Sequence, residues 1–133
     1  MNKRDIMNIC NGGFLEATGH SLPVEHFYKF YKFKREVAKV NHALGGAQAD
    51  LFNECKIDPC KFNEAPKEDQ KRFKEANKAL LEEDAGIEVK ARIPIEFYKA
   101  LYDENKTERL DIFANPDVEA VILDNLFTEI KEE

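Results

Sequence analysis

Residues 23–56 read PVEHFYKFYKFKREVAKVNHALGGAQADLFNECK, and their spacing decides the fold. Phe30, Phe33, Val37, Val40, Leu44, Ala47 and Leu51 recur at alternating intervals of three and four. That is one apolar stripe along an α-helix, and Phe27 and Cys55 lie beside it and widen it. Pro23 suits a first helical turn, so the helix is expected to run from about residue 23 to about Lys56 and to stop before Pro59. Gly45-Gly46 is its defect, costing roughly 2 kcal/mol against two alanines. A continuous but bent helix is the expectation there.

Working outward, residues 57–66 (IDPCKFNEAP) form a connection punctuated by two prolines. A second helix is expected from about Lys67 to Asp84, with Phe73, Ala76, Asn77, Leu80 and Leu81 on one face. So short a connection makes the two helices antiparallel neighbours. Gly86 is a stop signal. Ile87, Val89, Ala91 and Ile93 then alternate with Glu88, Lys90 and Arg92, the pattern of a half-buried strand that Pro94 ends. Residues 95–102 suit a short helix, and Leu110-Asp111-Ile112-Phe113 a second short strand pairing with the first. The clearest helix start is near the end of the chain. Asn115 caps, Pro116 takes the first position, Asp117 follows, and Val118, Val121, Ile122 and Leu126 keep helical spacing. Upstream, residues 4–18 suit either a short helix broken by Asn11-Gly12-Gly13 or a turn. The expected fold is α+β and helix-dominated. It is a single domain over 1–133, with a long antiparallel helical hairpin at about 23–84 and a small β element and C-terminal helix at about 87–130.

Length and composition agree with one core. The chain has 133 residues, 43% of them hydrophobic, including ten Phe and four Tyr, which supplies enough burial for a globular domain. No apolar run approaches a membrane span, and MNKRDIMNICNGG lacks the apolar stretch of a secretory signal. Cys10, Cys55 and Cys60 are therefore expected as reduced thiols in a cytoplasm. The net charge of −6 argues against a general binder of nucleic acid or anionic membrane. That charge is unevenly divided: residues 1–80 hold 14 basic against 11 acidic side chains, residues 81–133 hold 6 against 15. Opposite signs on one small domain favour docking or self-association.

No catalytic signature emerges. Cys55 and Cys60 make one candidate metal pair where zinc commonly uses two. His20 and His26 flank Pro23 without a carboxylate cluster, which suits a helix-entry role. Glu82-Glu83-Asp84 sits at a helix end, and neither glycine-rich phosphate-binding pattern is present. No enzyme, cofactor or metal is expected.

The most unusual stretch is His26–Lys39, HFYKFYKFKREVAK, where aromatic and basic residues interleave. On a helix these divide: Phe30, Phe33 and Val37 face inward, Lys32, Arg35 and Lys39 outward, and Tyr28 and Tyr31 lie between. Tyr28, Tyr31, Lys32, Arg35 and Lys39 are thus the candidate partner-binding residues. A protein partner or a second copy is the leading occupant. Single-stranded nucleic acid is the alternative, because aromatics beside cations suit base stacking next to phosphate contacts.

Leu22-Pro23 followed by Tyr28-Lys29 and Lys32 (LPVEHFYKFYK) resembles the L-P-x-x-x-x-Y-K-x-x-K helix opening of a group of small uncharacterised proteins of tailed bacteriophages and prophages. In that group a helical hairpin precedes a short strand segment containing Glu-Val and a final helix. The counterparts here are Leu80-Leu81, Glu88-Val89 and the 116–130 helix. The chain departs from the pattern at Asn11-Gly12-Gly13, at Gly45-Gly46 and in the cysteine-bearing connection. The resemblance implies a phage or mobile-element origin, a bacterial cytoplasm and no catalytic residue. It suggests a non-enzymatic accessory or assembly protein acting through protein–protein contacts.

Overall fold

The computed structural model describes residues 1–107 and 112–128. Its helices are α1 (Lys3–Asn11), α2 (Val24–Glu54), α3 (Lys67–Glu82), α4 (Tyr98–Asn105) and α5 (Pro116–Leu126), joined in part by short 3₁₀ turns at Phe14–Glu16, Pro59–Glu64 and Ile95–Phe97. The hairpin expected from the apolar stripe is α2 and α3, whose facing sides are linked by Gln48 Nε2 donating to Asn77 Oδ1 at 3.0 Å. The long helix begins one residue later than the proline suggests, with Pro23 at the cap position. It ends at Glu54 in two reversed bonds, Ile57 N–H to the Phe52 carbonyl at 2.9 Å and Lys56 N–H to Asn53 at 3.1 Å. This is a Schellman ending, with Lys56 at φ 56° where glycine is usual.

The helix runs unbroken through Gly45-Gly46. A Cβ added at either glycine would meet no atom within 4 Å, so no second backbone packs there.

The centre of the fold is α1, which touches α2, α3 and α5. Asn2 opens it with a capping box: its side chain accepts from Asp5 N–H, and the Asp5 carboxylate accepts from Asn2 N–H. Ile6 and Ile9 are fully buried in the main core, with Phe14, Phe30, Val37, Ile93, Leu101, Val118, Ile122 and Phe127. Gly12 closes the helix where a Cβ would come within 2.5 Å of Val118 Cγ2, so only glycine lets α1 and α5 approach this closely. Gly13 turns the chain at φ 89°. A second, smaller core sits at the hairpin tip, built on Cys55, Ile57 and Phe73 with Leu51, Phe52, Phe62 and Ala65.

The expected β element is overturned. Among the described residues there is no strand and no sheet: the fold is helical, not α+β. Ile87 and Val89 do turn towards the main core and Glu88 and Lys90 away from it, so the alternation of burial is real. A strand also needs a backbone partner, which a period of two does not supply. Main-chain pairing resumes only at Ile93, whose N–H donates to Leu126 O and whose carbonyl accepts from Thr128 N–H, both at 2.9 Å. That is a single parallel bridge to Phe127. Of the second expected strand, Leu110 and Asp111 lie outside the described residues, and Ile112-Phe113 is a buried turn. The C-terminal helix is capped as expected, Asn115 Oδ1 accepting from Asp117 N–H at 2.9 Å, but stops at Leu126.

Candidate contact surface

The start of α2 is held on three sides. His26, the second residue after the first helical position, is buried against the Phe97 ring at 4.8 Å between centroids. Lys29 Nζ lies 3.3 Å from His26 Nδ1, and His26 Nε2 lies 3.3 Å from Glu25 Oε1. The preceding loop is pinned by Glu104 of α4, whose carboxylate accepts from the Thr18 hydroxyl, from His20 N–H at 2.9 Å and from Ser21 N–H at 2.5 Å. Burial opposes its charge, but these donors outweigh it and hold its pKa below the ordinary carboxylate value.

With the helix fixed, its outer face is set by spacing. At about 100° per residue, Val24, Lys32, Arg35 and Lys39 all project within about 40° of Tyr28. Among the described residues, Val24 and Tyr28 are the exposed large hydrophobic side chains, at 72% and 68%. Neither has a reason in the core to be apolar. Tyr28 stands as a ridge between two clefts. On one side a groove of about 240 Å³ runs between α2 and the segment 87–91, walled by Tyr28, Lys29, Lys32, Phe33 and Ile87 through Ala91. On the other, His20, Leu22, Val24 and Phe27 form a shallower hollow of about 280 Å³.

The candidate residues named from sequence do not all share this surface. Tyr28 and Lys32 line the groove, while Arg35 and Lys39 are exposed further along the face, Lys39 lying 3.7 Å from Glu36. Tyr31 sits apart from them. It is half-buried, packed on the Phe27 ring at 4.5 Å, with Lys34 Nζ 5.2 Å from its centroid. Lys34 itself is spent on the Ala17 carbonyl at 2.6 Å, and burial lowers its pKa. Sequence reasoning missed Val24, one helical turn before Tyr28, and the wall formed by 87–91. The first was signalled by an apolar residue off the stripe; the second was read as a strand.

The thiols are scattered. Cys55 is buried in the small core, Cys60 is exposed, and half-burial of Cys10 pushes its pKa up to about 11, which keeps it a poor nucleophile. Among the described residues no three His, Cys, Asp or Glu side chains converge to hold a metal ion, and no helix is long and apolar enough to cross a membrane. No protein-family model matches this chain, and neither does any curated protein or solved structure.

Proposed function

We propose that this chain is a non-enzymatic accessory or assembly protein of a phage or prophage, acting in a bacterial cytoplasm by binding a protein partner through the outer face of α2. The observation that carries the reading is Val24 and Tyr28, exposed one turn apart and followed on the same face by Lys32, Arg35 and Lys39. An aromatic anchor beside a cleft, rimmed by cations, is the usual build of a contact hot spot. Its basic character selects an acidic partner surface. The phage origin rests on the Leu22-Pro23…Tyr28-Lys29…Lys32 resemblance.

The test is a triple charge reversal, Lys32→Glu, Arg35→Glu and Lys39→Glu. Exposed charges contribute little to folding, so thermal stability should move by no more than about 1 kcal/mol. Affinity capture from host extract, quantified by mass spectrometry, should show a protein retained by the parent chain and lost by the variant. Equal retention by both removes this face from the argument. Retention that nuclease abolishes, with affinity falling steeply in salt, would assign the same face to nucleic acid.

A further inference from the structure

The groove beside Tyr28 is narrow, and its width limits what can enter. From Tyr28 to Glu36 its helical wall is about 12 Å long, at 1.5 Å per residue. A volume of about 240 Å³ over that length leaves a channel about 4–5 Å across. A helix, about 10–12 Å wide, does not fit. The volume also falls below the roughly 300–1,000 Å³ of sites that enclose a whole drug-sized ligand. A single apolar side chain does fit. The floor is Phe33, buried in the main core, with the half-buried Ile87 and Val89 resting on the same core. The facing wall bends at Lys90 and Ala91, and the Arg92 carbonyl beyond it accepts from Lys29 Nζ at 3.4 Å. That wall therefore meets an occupant with side chains, not with a row of free main-chain groups.

The charges set the rest of the occupant. Five charged side chains line the groove, Lys29, Lys32, Glu36, Glu88 and Lys90. Two are engaged: Lys29 Nζ with His26 Nδ1 and the Arg92 carbonyl, and Glu36 with Lys39 at 3.7 Å. Among the described residues Lys32, Glu88 and Lys90 have no ion-pair partner. Lys32 stands on the helix and Lys90 on the facing wall, so an anion at the groove has a cation on either side. Glu88 opposes it, which leaves an excess of one positive charge, and Arg35, exposed on the same face of α2, adds to that excess. An apolar group alone leaves these cations unused, and an anion alone leaves the apolar floor unused.

We propose, resting on the reading of the α2 outer face as a protein contact, that the groove takes one bulky apolar side chain from a short acidic segment of the partner. The apolar side chain lies on Phe33, Ile87 and Val89, and carboxylates on either side of it in the partner's sequence meet Lys32 and Lys90. Tyr28 borders this seat as the exposed aromatic of the contact. The partner is thereby specified as an acidic segment with an apolar anchor, and not as any acidic surface.

The test is a titration of the purified, ¹⁵N-labelled full chain with a seven-residue synthetic peptide carrying one leucine among aspartates. Concentrations up to about 2 mM suit so small a contact, which belongs to the weak class. The backbone amide signals of Phe33, Ile87 and Val89 should shift and saturate. Alanine in place of the leucine should weaken binding about tenfold. Asparagines in place of the aspartates should weaken it and remove its salt dependence. In the chain, Lys90→Glu should weaken binding and Glu88→Gln should strengthen it, opposite signs that a loss of folding does not produce. Ala91→Trp fills the groove from an exposed position and should abolish binding with unchanged circular dichroism. The proposal is overturned by no binding of the leucine peptide, by shifts confined to another surface, or by equal binding of the alanine peptide. Saturation of the same amides by decanoate or a short oligonucleotide, with none by the peptide, overturns it in favour of lipid or nucleic acid. The two readings fail separately. If Ala91→Trp still captures the protein that the triple charge reversal loses, the α2 face stands and the groove is removed. If the peptide binds the groove while capture is unchanged by the triple reversal, the groove stands and the outer face is removed.

Discussion

At its N-terminal half α2 sends Phe30, Phe33 and Val37 into a core that also draws on Ile6, Phe14, Leu101, Val118 and Phe127. At its C-terminal end Leu51, Phe52 and Cys55 meet Ile57, Phe62, Ala65 and Phe73. The first core joins residues from the first 40 of the chain to residues between 85 and 127; the second comes from residues 51–73. Aromatic packing is dense in both. Phe14 meets Phe30 and Phe33 edge-on at 5.9 and 5.7 Å, and Phe52 stacks on Phe73 at 4.1 Å. What differs is sequence distance. A core that ties distant elements together can only be lost with the fold, whereas a core made within one hairpin can open by itself. The candidate contact face borders the large core, the part of the molecule held by the most distant contacts.

The largest effect should come from Phe14→Ala, which empties a fully buried site. It should cost about 3–5 kcal/mol, measured by urea unfolding, and lower amide protection throughout. Phe73→Ala should cost less globally, its lost protection in native-state hydrogen exchange confined to the hairpin tip around residues 51–80. If Phe73→Ala instead lowers protection equally at Ile6 and Val118, the two cores are one cooperative unit and the comparison fails.

Acid should sharpen the contrast from the other end. The folded-state pKa of Glu104 lies below its ordinary value. Its contribution is therefore present above the unfolded carboxylate pKa and is lost as pH falls through the depressed one. In that window the loop carrying Thr18, His20 and Ser21 should loosen from α4 while the hairpin tip stays intact. The backbone amide signals of His20 and Ser21 should titrate below the usual carboxylate range, and Glu104→Gln should abolish that titration.

The smallest effect concerns the helix that joins the cores. Gly45→Ala and Gly46→Ala place a methyl in open solvent within a helix and should each raise stability by about 1 kcal/mol, read as an increase in Tm. If these alanines also move protection at the hairpin tip, the glycines act as a joint between the two regions. If they stabilise without that coupling, they are propensity defects only.

Much of the helical hairpin was legible in the sequence because a helix closes its own hydrogen bonds. The stripe from Phe30 to Leu51 is enough to define α2, and Asn115-Pro116-Asp117 is enough to start α5. The supposed strand was misread for the complementary reason. Ile87 and Val89 alternate because one side of the segment rests on a core, and that burial needs no ladder. The middle position of α1 was invisible too. Ile6 and Ile9 look like a short amphipathic helix of ordinary kind, and only α2, α3 and α5 closing around it make it the hub. For the contact face, Tyr28, Lys32, Arg35 and Lys39 follow from helical spacing, whereas the half-burial of Tyr31 depends on Phe27, beside it on the helix, and on how the loop before Pro23 folds back.

The sequence alone determined where α2 and α3 lie, where α5 begins, which face of α2 is apolar and which carries the cations, since these depend on residues three or four apart. The tertiary structure alone decided that 87–91 would form the far wall of a groove, and that the Arg92 carbonyl would accept from Lys29. It alone decided that the Arg92 guanidinium would be taken by the end of α5. Those outcomes rest on hydrogen bonds and packing between segments far apart in the chain, whose distances no local spacing encodes.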